Sequence, residues 1–332
     1  MSDNSVISTR VRLARNLKDF PFPCKLSPDG MEKVIEKVRS AVKNSNSSIA
    51  SDFKFIKMSD LTEAQCVSLV ERRIVSPEFI SNTEGRALLV NSDESLSIMI
   101  NEEDHIRIQA ITKGLALEQT YDLVDKLDTL LDESLDFAFS DKLGYLTQCP
   151  TNLGTGMRAS VMLHLPALEK SRAIGRIAGN LSKLGLTIRG THGEGTEPKG
   201  SLYQLSNQVT LGISEKAAIE NLKNITSQLI SQEELARERI CSNIDIQDSI
   251  SRSLGILKYA RTIAHDEALQ LLSNVRLGIV SGQLKDIPLL TIDKLMTDVE
   301  PATLMVNSGK NLSAAQRDVA RADLLRKALE EV

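Results

Sequence analysis

The segment VISTRVRLAR at residues 6–15 is the most informative stretch of this sequence. In an extended conformation, Arg10 and Arg12 point to one face of the strand, while Thr9 and Val11 point to the other. Arginine suits the binding of phosphate oxygens because its planar guanidinium donates paired hydrogen bonds and stays charged at physiological pH. The segment therefore predicts either a phosphate clamp or an amphipathic edge strand with solvated arginines.

Composition excludes several classes of protein. The chain has 332 residues, of which 41% are apolar and 25% charged, so it can form two domains with a substantial core. Its net charge of −4, the absence of Trp and an aromatic content of 3% argue against a nucleic-acid-binding protein. The GxxxxGK[ST] phosphate-binding loop is also missing. We see no signal peptide, long apolar run or CxxC pair, so we expect a cytoplasmic protein with reduced thiols and no membrane partner.

Periodicity predicts an α+β fold. Apolar residues at helical spacing predict helices after Pro28, around residues 61–70, around residues 121–135 and from Leu168 to Leu184. The segments RALLVNS and SLSIMIN predict an antiparallel pair joined by a turn near Asp93. Four further strands are predicted at GYLTQCP, ASVMLHL, LTIRG and SLYQLSN. The expected catalytic domain is thus an antiparallel sheet flanked by helices.

The remainder of the chain has a helical pattern. From about Glu215 onward, strand signals are absent and apolar residues repeat at helical spacing. We predict a domain boundary near residue 240, within or just after a long connecting helix. Residues 1–240 would form the catalytic domain, and residues 241–332 a small all-α C-terminal domain.

Three further arginine-bearing segments accompany carboxylates and glycine turns. They are NEEDHIR at residues 101–107, CPTNLGTGMRAS at 149–160 and IRGTHGEGTE at 188–197. Together with residues 6–15, and in this order, they resemble the motifs of the phosphagen kinase superfamily, which transfers the γ-phosphate of ATP to a guanidinium group. The resemblance covers about residues 6–213, and within the superfamily the chain looks most like the bacterial protein arginine kinases.

The resemblance implies specific ligands for the phosphates of ATP. By position they are Arg10, Arg12, Arg107, Arg158 and Arg189, and Arg86 is a weaker candidate. Phosphoryl transfer depends mainly on positioning and charge neutralisation, so several arginines and Mg²⁺ are expected. We expect the Mg²⁺ to arrive with ATP, without a separate metal site on the protein.

Two glutamates match the substrate-binding positions of the superfamily. A guanidinium is a poor nucleophile, so an enzyme has to orient it and accept its proton. We assign Glu103 as the main orienting carboxylate and proton acceptor, and Glu194 as its partner on a mobile loop. Glu102, Asp104 and Glu197 are weaker candidates. If a helix begins at residues 101–104, Glu103 and Arg107 would instead form an ordinary ion pair worth ~0.5 kcal/mol.

Two other features of the predicted active site follow from local sequence. Residues 189–200 contain four glycines and are expected to form a lid that closes over the substrates and excludes water. Cys149 occupies the position of a reactive thiol in the superfamily, and neighbouring arginines would raise its thiolate fraction.

Two features favour a protein substrate over a free amino acid. Relatives that act on small guanidino compounds carry a helical domain before the STRVR segment, whereas only seven residues precede Ser8 here, so we expect an open acceptor side. The segment RDVARA at residues 317–322 resembles the phosphoarginine-binding motif of protein arginine kinases. Ser313 and Gln316 predict a capping box before it. Arg317 and Arg321 would bind the phosphate and Asp318 the guanidinium, although a solvated charged helix is the alternative.

The sequence therefore predicts an ATP-dependent kinase for arginine side chains in proteins. If the resemblance holds, the modified proteins pass to a Clp-type protease in a stress response, a zinc-binding activator protein assists, and the kinase is a homodimer. Two alternatives stay open, namely a kinase for free arginine or another small guanidino compound, and a non-catalytic phosphoarginine-binding adaptor.

Overall fold

A computed structural model describes residues 4–45, 47–49, 51–190 and 198–330. Its strands are β1 Val6–Arg15, β2 Lys54–Lys57, β3 Ala87–Val90, β4 Leu96–Ile100, β5 Ile106–Lys113, β6 Phe139–Ser140, β7 Gly144–Tyr145, β8 Met157–His164, β9 Leu186–Gly190 and β10 Leu202–Asn207. Eight of them form a central sheet in the order β2-β3-β4-β5-β1-β8-β10-β9, in which all neighbouring strands are antiparallel. Two short strands, β6 and β7, form a separate hairpin.

Helices flank the sheet and form the whole C-terminal part of the described chain. They are α1 Pro28–Asn44, α2 Glu63–Glu71, α3 Pro77–Ile80, α4 Leu117–Asp132, α5 Pro166–Lys170, α6 Ile174–Lys183, α7 Glu215–Cys241, α8 Ile244–Tyr259, α9 His265–Val280, α10 Leu289–Asp298, α11 Pro301–Ser308 and α12 Ala314–Leu329. Polar caps fix several starts, such as the Ser27 hydroxyl that accepts a hydrogen bond from Gly30 N. The predicted α+β architecture with a helical C-terminal region is confirmed.

The strand register separates the two faces of the sheet. On β1, Val11 and Leu13 are buried, and they point into the main core, which α1, α4 and α7 complete. Arg10 and Arg12 alternate with these residues and point to the opposite face. The alternation of side chains predicted from the sequence is therefore present in β1. This strand is not an edge strand, because it lies between β5 and β8 in the sheet.

Two separate groups of helices cover parts of the arginine-bearing face. Near β3 and β4, α2 and α3 form a small core around Phe79, Leu88 and Met99. Near β8 and β10, Met162 and Leu202 join the core of the C-terminal helices. The two groups of helices meet where Glu71 of α2 accepts hydrogen bonds from the first backbone amides of α11. The middle of this face, on β5, β1 and β8, remains accessible beneath them.

Two local predictions were wrong. Only residues 144–145 of GYLTQCP form a strand, because the amides after them bond elsewhere: Leu146 N donates to Ala138 O, and Gln148 N to the Asp104 carboxylate. The stripe from Leu168 to Leu184 is two helices rather than one, because Arg172 between them has a φ of 55°.

The helix α7 ends at Cys241, and α8 begins at Ile244 after a short break. In the described part of the chain, no helix combines the length and apolar character needed to cross a membrane.

Candidate active site

Five arginines predicted to bind phosphate share the accessible face of the sheet. Arg12 on β1 lies directly opposite Arg158 on β8, and Arg107 on β5 lies opposite Ala14 on β1. Directly opposed residues point to the same face, so these side chains project in one direction. Arg10 donates from Nη2 to Gln204 Oε1 at 2.8 Å. Arg189 on β9 lies opposite the same Gln204, which places it on the same face.

The proximity of these cations is visible in their pKa values. Burial, followed by the neighbouring charges of Arg73, Arg107 and Arg158, lowers the pKa of Arg10 to about 10. Burial and the same kind of repulsion hold the pKa of Arg12 well below its ordinary value, although the Glu102 carboxylate opposes the effect. The charges that act on Arg10 and Arg12 are therefore mainly positive, and a polyphosphate would supply the opposite charge.

Glu103 lies at one end of the cluster, in a cavity of about 240 Å³ that Arg12, Arg107 and Arg158 also line. Its Oε2 is 3.3 Å from Arg107 Nη2 and 3.5 Å from Asn152 Nδ2. Burial raises the pKa of Glu103, and the charge of Arg107 opposes this rise. A carboxylate with a raised pKa is a better proton acceptor than a fully solvated one. The structure thus places the predicted acceptor carboxylate next to three of the predicted phosphate ligands.

The segment around Glu103 is an irregular loop and not the helix start considered above. Asn101 has a φ of 63°, and β5 begins at Ile106. The Glu103–Arg107 ion pair forms nevertheless, across the loop and the first residues of the strand. The preceding Glu102 is buried, with its carboxylate 2.6 Å from Arg107 Nη1 and bonded to the Ser76 hydroxyl. The buried carboxylate of Glu102 therefore positions the guanidinium of Arg107.

A buried hydrogen-bond network joins the Glu103 loop to the Cys149 loop. Asp104 Oδ1 accepts from Asn16 Nδ2 at 2.6 Å and from Gln148 N at 2.8 Å, and Asn16 Oδ1 accepts from His105 N at 2.9 Å. Asp104, Asn16 and His105 are all buried. The network holds the end of β1 and both loops in one arrangement, so Asp104 has a positioning role.

Cys149 is half-buried, with Sγ 3.0 Å from Thr151 Oγ1. Its interaction with the Glu103 carboxylate opposes part of the rise in the pKa of Glu103 that burial causes. The turn that follows requires glycine at position 156, because a Cβ there would lie 2.7 Å from Ala14 O and φ is 62°. This close approach brings the backbone of the turn against β1 beside Arg158.

Four further residues have to be placed relative to the predicted site. Arg86 binds the backbone oxygens of Asn101, Glu78 and Phe79, so it holds the Glu103 loop and lines neither cavity on the arginine face. Glu194 lies outside the described residues, so its role stays a prediction, as does that of Glu197. The sequence analysis missed Arg73, whose charge lowers the pKa of Arg10. The only sequence signal for it was the Arg72–Arg73 pair, in no recognised motif.

The predicted phosphoarginine motif lies on α12, which begins with the expected capping box between Ser313 and Gln316. Arg321 is buried, donates to Val299 O and Ile263 O, and contacts Asp318 Oδ1 at 2.7 Å. Arg317 is half-buried and donates to Leu312 O, and it lines a groove between α2 and α11. The two arginines thus have different environments, and the motif's ligand stays a prediction.

No group of three or more His, Cys, Asp or Glu side chains suited to a metal ion occurs within the described residues. The donor set of the site is cationic and fits the phosphates of ATP. Mg²⁺ bound to those phosphates would add charge neutralisation of the β- and γ-oxygens.

Comparison with known proteins gives concordant matches. Residues 33–236 match the family described as ATP:guanido phosphotransferase, C-terminal catalytic domain, and residues 243–332 match the protein-arginine kinase McsB C-terminal domain. The protein-arginine kinase of Halothermothrix orenii is 47% identical over 97% of this chain and 92% of its own length. That of Clostridium acetobutylicum is 44% identical over 99% of this chain and 97% of its own length.

Solved structures agree in fold. The duplicated taurocyamine kinase from Schistosoma mansoni with bound transition state analog components has a TM-score of 0.63 and 32% identity, covering 70% of this chain and 34% of that one. A lombricine kinase has a TM-score of 0.62 and 26% identity, covering 70% and 67%. The chain is therefore a phosphotransferase that belongs to the ATP:guanido phosphotransferase family, in its protein-arginine kinase branch.

Proposed function

We propose that this protein transfers the γ-phosphate of ATP to arginine side chains in proteins. The observation that carries the proposal is the cavity in which Glu103 faces Arg12, Arg107 and Arg158. A carboxylate that can hold a guanidinium thus adjoins cations that can hold a transferred phosphate. The names of the related kinases and the McsB C-terminal domain support a protein-bound acceptor.

The proposed reaction uses each group in a distinct way. Arg10, Arg12, Arg107, Arg158 and Arg189 bind the oxygens of the triphosphate and stabilise the charge that spreads over them during transfer. Glu103 holds the acceptor guanidinium in line with the γ-phosphorus. The guanidinium nitrogen forms the new N–P bond, the bond from phosphorus to the leaving ADP oxygen breaks, and the nitrogen's proton passes to Glu103. Glu194 is proposed as the second carboxylate on the acceptor.

Mass spectrometry tests the acceptor. The protein is incubated with Mg²⁺, ATP and casein, and peptides are searched for acid-labile phosphate on arginine, with free arginine assayed in parallel. Phosphoarginine in casein is the expected result. Phosphate on free arginine alone would show a small-molecule kinase. Specific phosphoarginine binding without any transfer would show an adaptor. Either outcome would contradict the proposal.

The cellular role is proposed from the family and the C-terminal motif. Phosphoarginine would deliver client proteins to a Clp-type protease during stress, in the cytoplasm. The segment RDVARA would bind phosphoarginine on the kinase itself or on client proteins. This binding would regulate the activity of the kinase. A zinc-binding activator protein and a homodimeric state are proposed on the same basis. Size-exclusion chromatography with light scattering tests the dimer, and a monomer at micromolar concentration would contradict it.

A further inference from the structure

A second cavity on the arginine face, of about 410 Å³, has walls from both parts of the chain. Its floor is the sheet, through Arg10, Arg12 and Gln204. Its opposite wall consists of C-terminal residues on or next to α9, α10 and α11, among them Leu269, Met296, Thr297 and Glu300. The C-terminal helices therefore line a space that opens onto predicted phosphate ligands.

This cavity continues from the one that contains Glu103. Arg12 and Glu78 line both cavities, whereas Glu103 lines only the smaller one and Arg10 only the larger. A triphosphate whose γ-end lies beside Glu103 would extend along Arg12 toward Arg10. The group attached to its α-phosphate would then enter the larger cavity.

The lining suits a nucleoside. Met162, Leu202 and Met296 offer apolar surface to a base, while Gln204 and Thr297 provide a few polar atoms that can orient a base or a ribose. Glu300 adds a carboxylate, 3.0 Å from His265 Nε2, that can accept from ribose hydroxyls. The rest of the lining is mixed, because further apolar side chains accompany the charged groups of Glu71, Arg73, Glu78, Lys199 and Asp293. Apolar surface for a base beside polar and charged groups for orientation is the combination that a nucleoside site requires.

We infer that α10 and the adjoining Glu300 supply one wall of the subsite for the nucleoside of the nucleotide substrate. The inference rests on the proposed ATP-dependent function and adds that the C-terminal part of the chain determines nucleotide affinity. Because Glu71 and Ser68 of α2 bond Thr303 of α11, the same wall is fixed to the catalytic part. Nucleotide binding then favours the docked C-terminal helices, and their docking favours nucleotide binding by the same factor.

Filling the cavity from the C-terminal side tests the inference. Thr297 is half-buried and faces the cavity, so Thr297→Phe narrows it, and Thr297→Leu does so to a smaller degree. Thr291→Phe is a matched control on the same helix, since Thr291 is also half-buried and lines neither cavity. The dissociation constants of Mg·ATP and of inorganic tripolyphosphate are measured for each protein by calorimetry.

The two ligands separate the nucleoside subsite from the phosphate subsite. Thr297→Phe should raise the Kd of ATP about tenfold or more, with a smaller rise in Thr297→Leu, and should change the Kd of tripolyphosphate by less than about twofold. The Thr291→Phe control should leave both constants near those of the unmodified protein. Retained tripolyphosphate binding also verifies that the variant is folded.

Other outcomes overturn the inference. An unchanged Kd for ATP in both Thr297 variants, or an equal loss for the two ligands, would show that the wall does not contact the nucleoside. An unchanged Kd for ATP with a raised KM for casein would assign the cavity to the polypeptide substrate instead. Failure of the unmodified protein to bind either ligand would contradict the proposed function itself, and the inference with it.

Discussion

The chain buries arginines in two contrasting ways. In the C-terminal helices, Arg276 and Arg321 are each 1% exposed, and each meets a carboxylate at 2.7 Å, from Asp293 and Asp318 respectively. On the sheet face, burial and then the charges of neighbouring arginines lower the pKa values of Arg10 and Arg158, although Glu103 opposes the effect at Arg158. Breaking a buried ion pair by removing one partner destabilises the fold, whereas a group of cations that repel one another costs stability until an anion binds. The difference separates arginines whose charge a carboxylate compensates inside the fold from arginines that mainly face other cations.

The largest expected effect is on the acceptor carboxylate that lies beside the arginines of the sheet face. Glu103→Ala removes both the orientation of the guanidinium and the proton acceptor, so the rate of phosphate transfer to casein should fall by at least about 10³-fold. The Kd of ATP should stay largely intact, because the arginines remain. The exposed Glu84→Ala serves as control. Near-normal transfer by Glu103→Ala would refute the assignment.

A compensated arginine should matter to stability and not to nucleotide binding. Arg321→Met leaves Val299 O, Ile263 O and Asp318 without their donor, so the free energy of unfolding should fall by about 3 kcal/mol. Chemical denaturation measures this, and Lys327→Met on the exposed face of α12 is the control, expected within about 0.5 kcal/mol of the unmodified protein. If Arg321→Met and Lys327→Met were equally stable, the proposed contrast between the two groups of arginines would be contradicted.

An uncompensated arginine should show the opposite pattern. Arg158→Met relieves the repulsion with Arg12 directly opposite, so the free energy of unfolding should stay the same or rise by up to about 1 kcal/mol. The Kd of ATP should rise about tenfold to a hundredfold, because charge-assisted hydrogen bonds to phosphate are lost. The control is Arg252→Met, whose side chain is 75% exposed. A loss of stability without a change in Kd would place Arg158 among the structural arginines.

The smallest effect concerns the pH dependence of transfer. Burial raises the pKa of Glu103 above its ordinary value of 4.5, so activity should be lost as the pH falls through that raised pKa. The interaction with Cys149 opposes part of this rise in the pKa of Glu103. Cys149→Ala should therefore move the acid limb of the pH–rate profile to higher pH. A limb that stays in place, or moves to lower pH, would show that Glu103 is not the titrating group.

The sequence predicted the parts of the site that depend on local pattern. Alternation placed Arg10 and Arg12 on one face, and the motifs supplied Arg107, Arg158 and Glu103. It did not predict the register that sets Arg12 opposite Arg158, because register depends on long-range pairing of strands.

Other features depend on contacts between distant segments. Arg73 was missed because its place near the cluster depends on the backbone turn after α2. Arg73 has a φ of 64° in that turn, and its carbonyl oxygen accepts a hydrogen bond from Gln109 on β5. The segment at residues 146–149 was wrongly predicted as strand because side chains from other segments, such as Asp104, bind its backbone. The C-terminal wall of the larger cavity arises from packing between parts of the chain that no local pattern connects.

The central claim is that the arginines on the accessible face of the sheet bind the triphosphate with its γ-end beside Glu103. A crystal structure with Mg²⁺ and a non-hydrolysable ATP analogue tests it most directly. The account predicts phosphate oxygens within hydrogen-bond distance of Arg10, Arg12, Arg107 and Arg158, with the γ-phosphate nearest to Glu103. A triphosphate bound away from the accessible face of β5, β1 and β8, or with its γ-end directed away from Glu103, would contradict it.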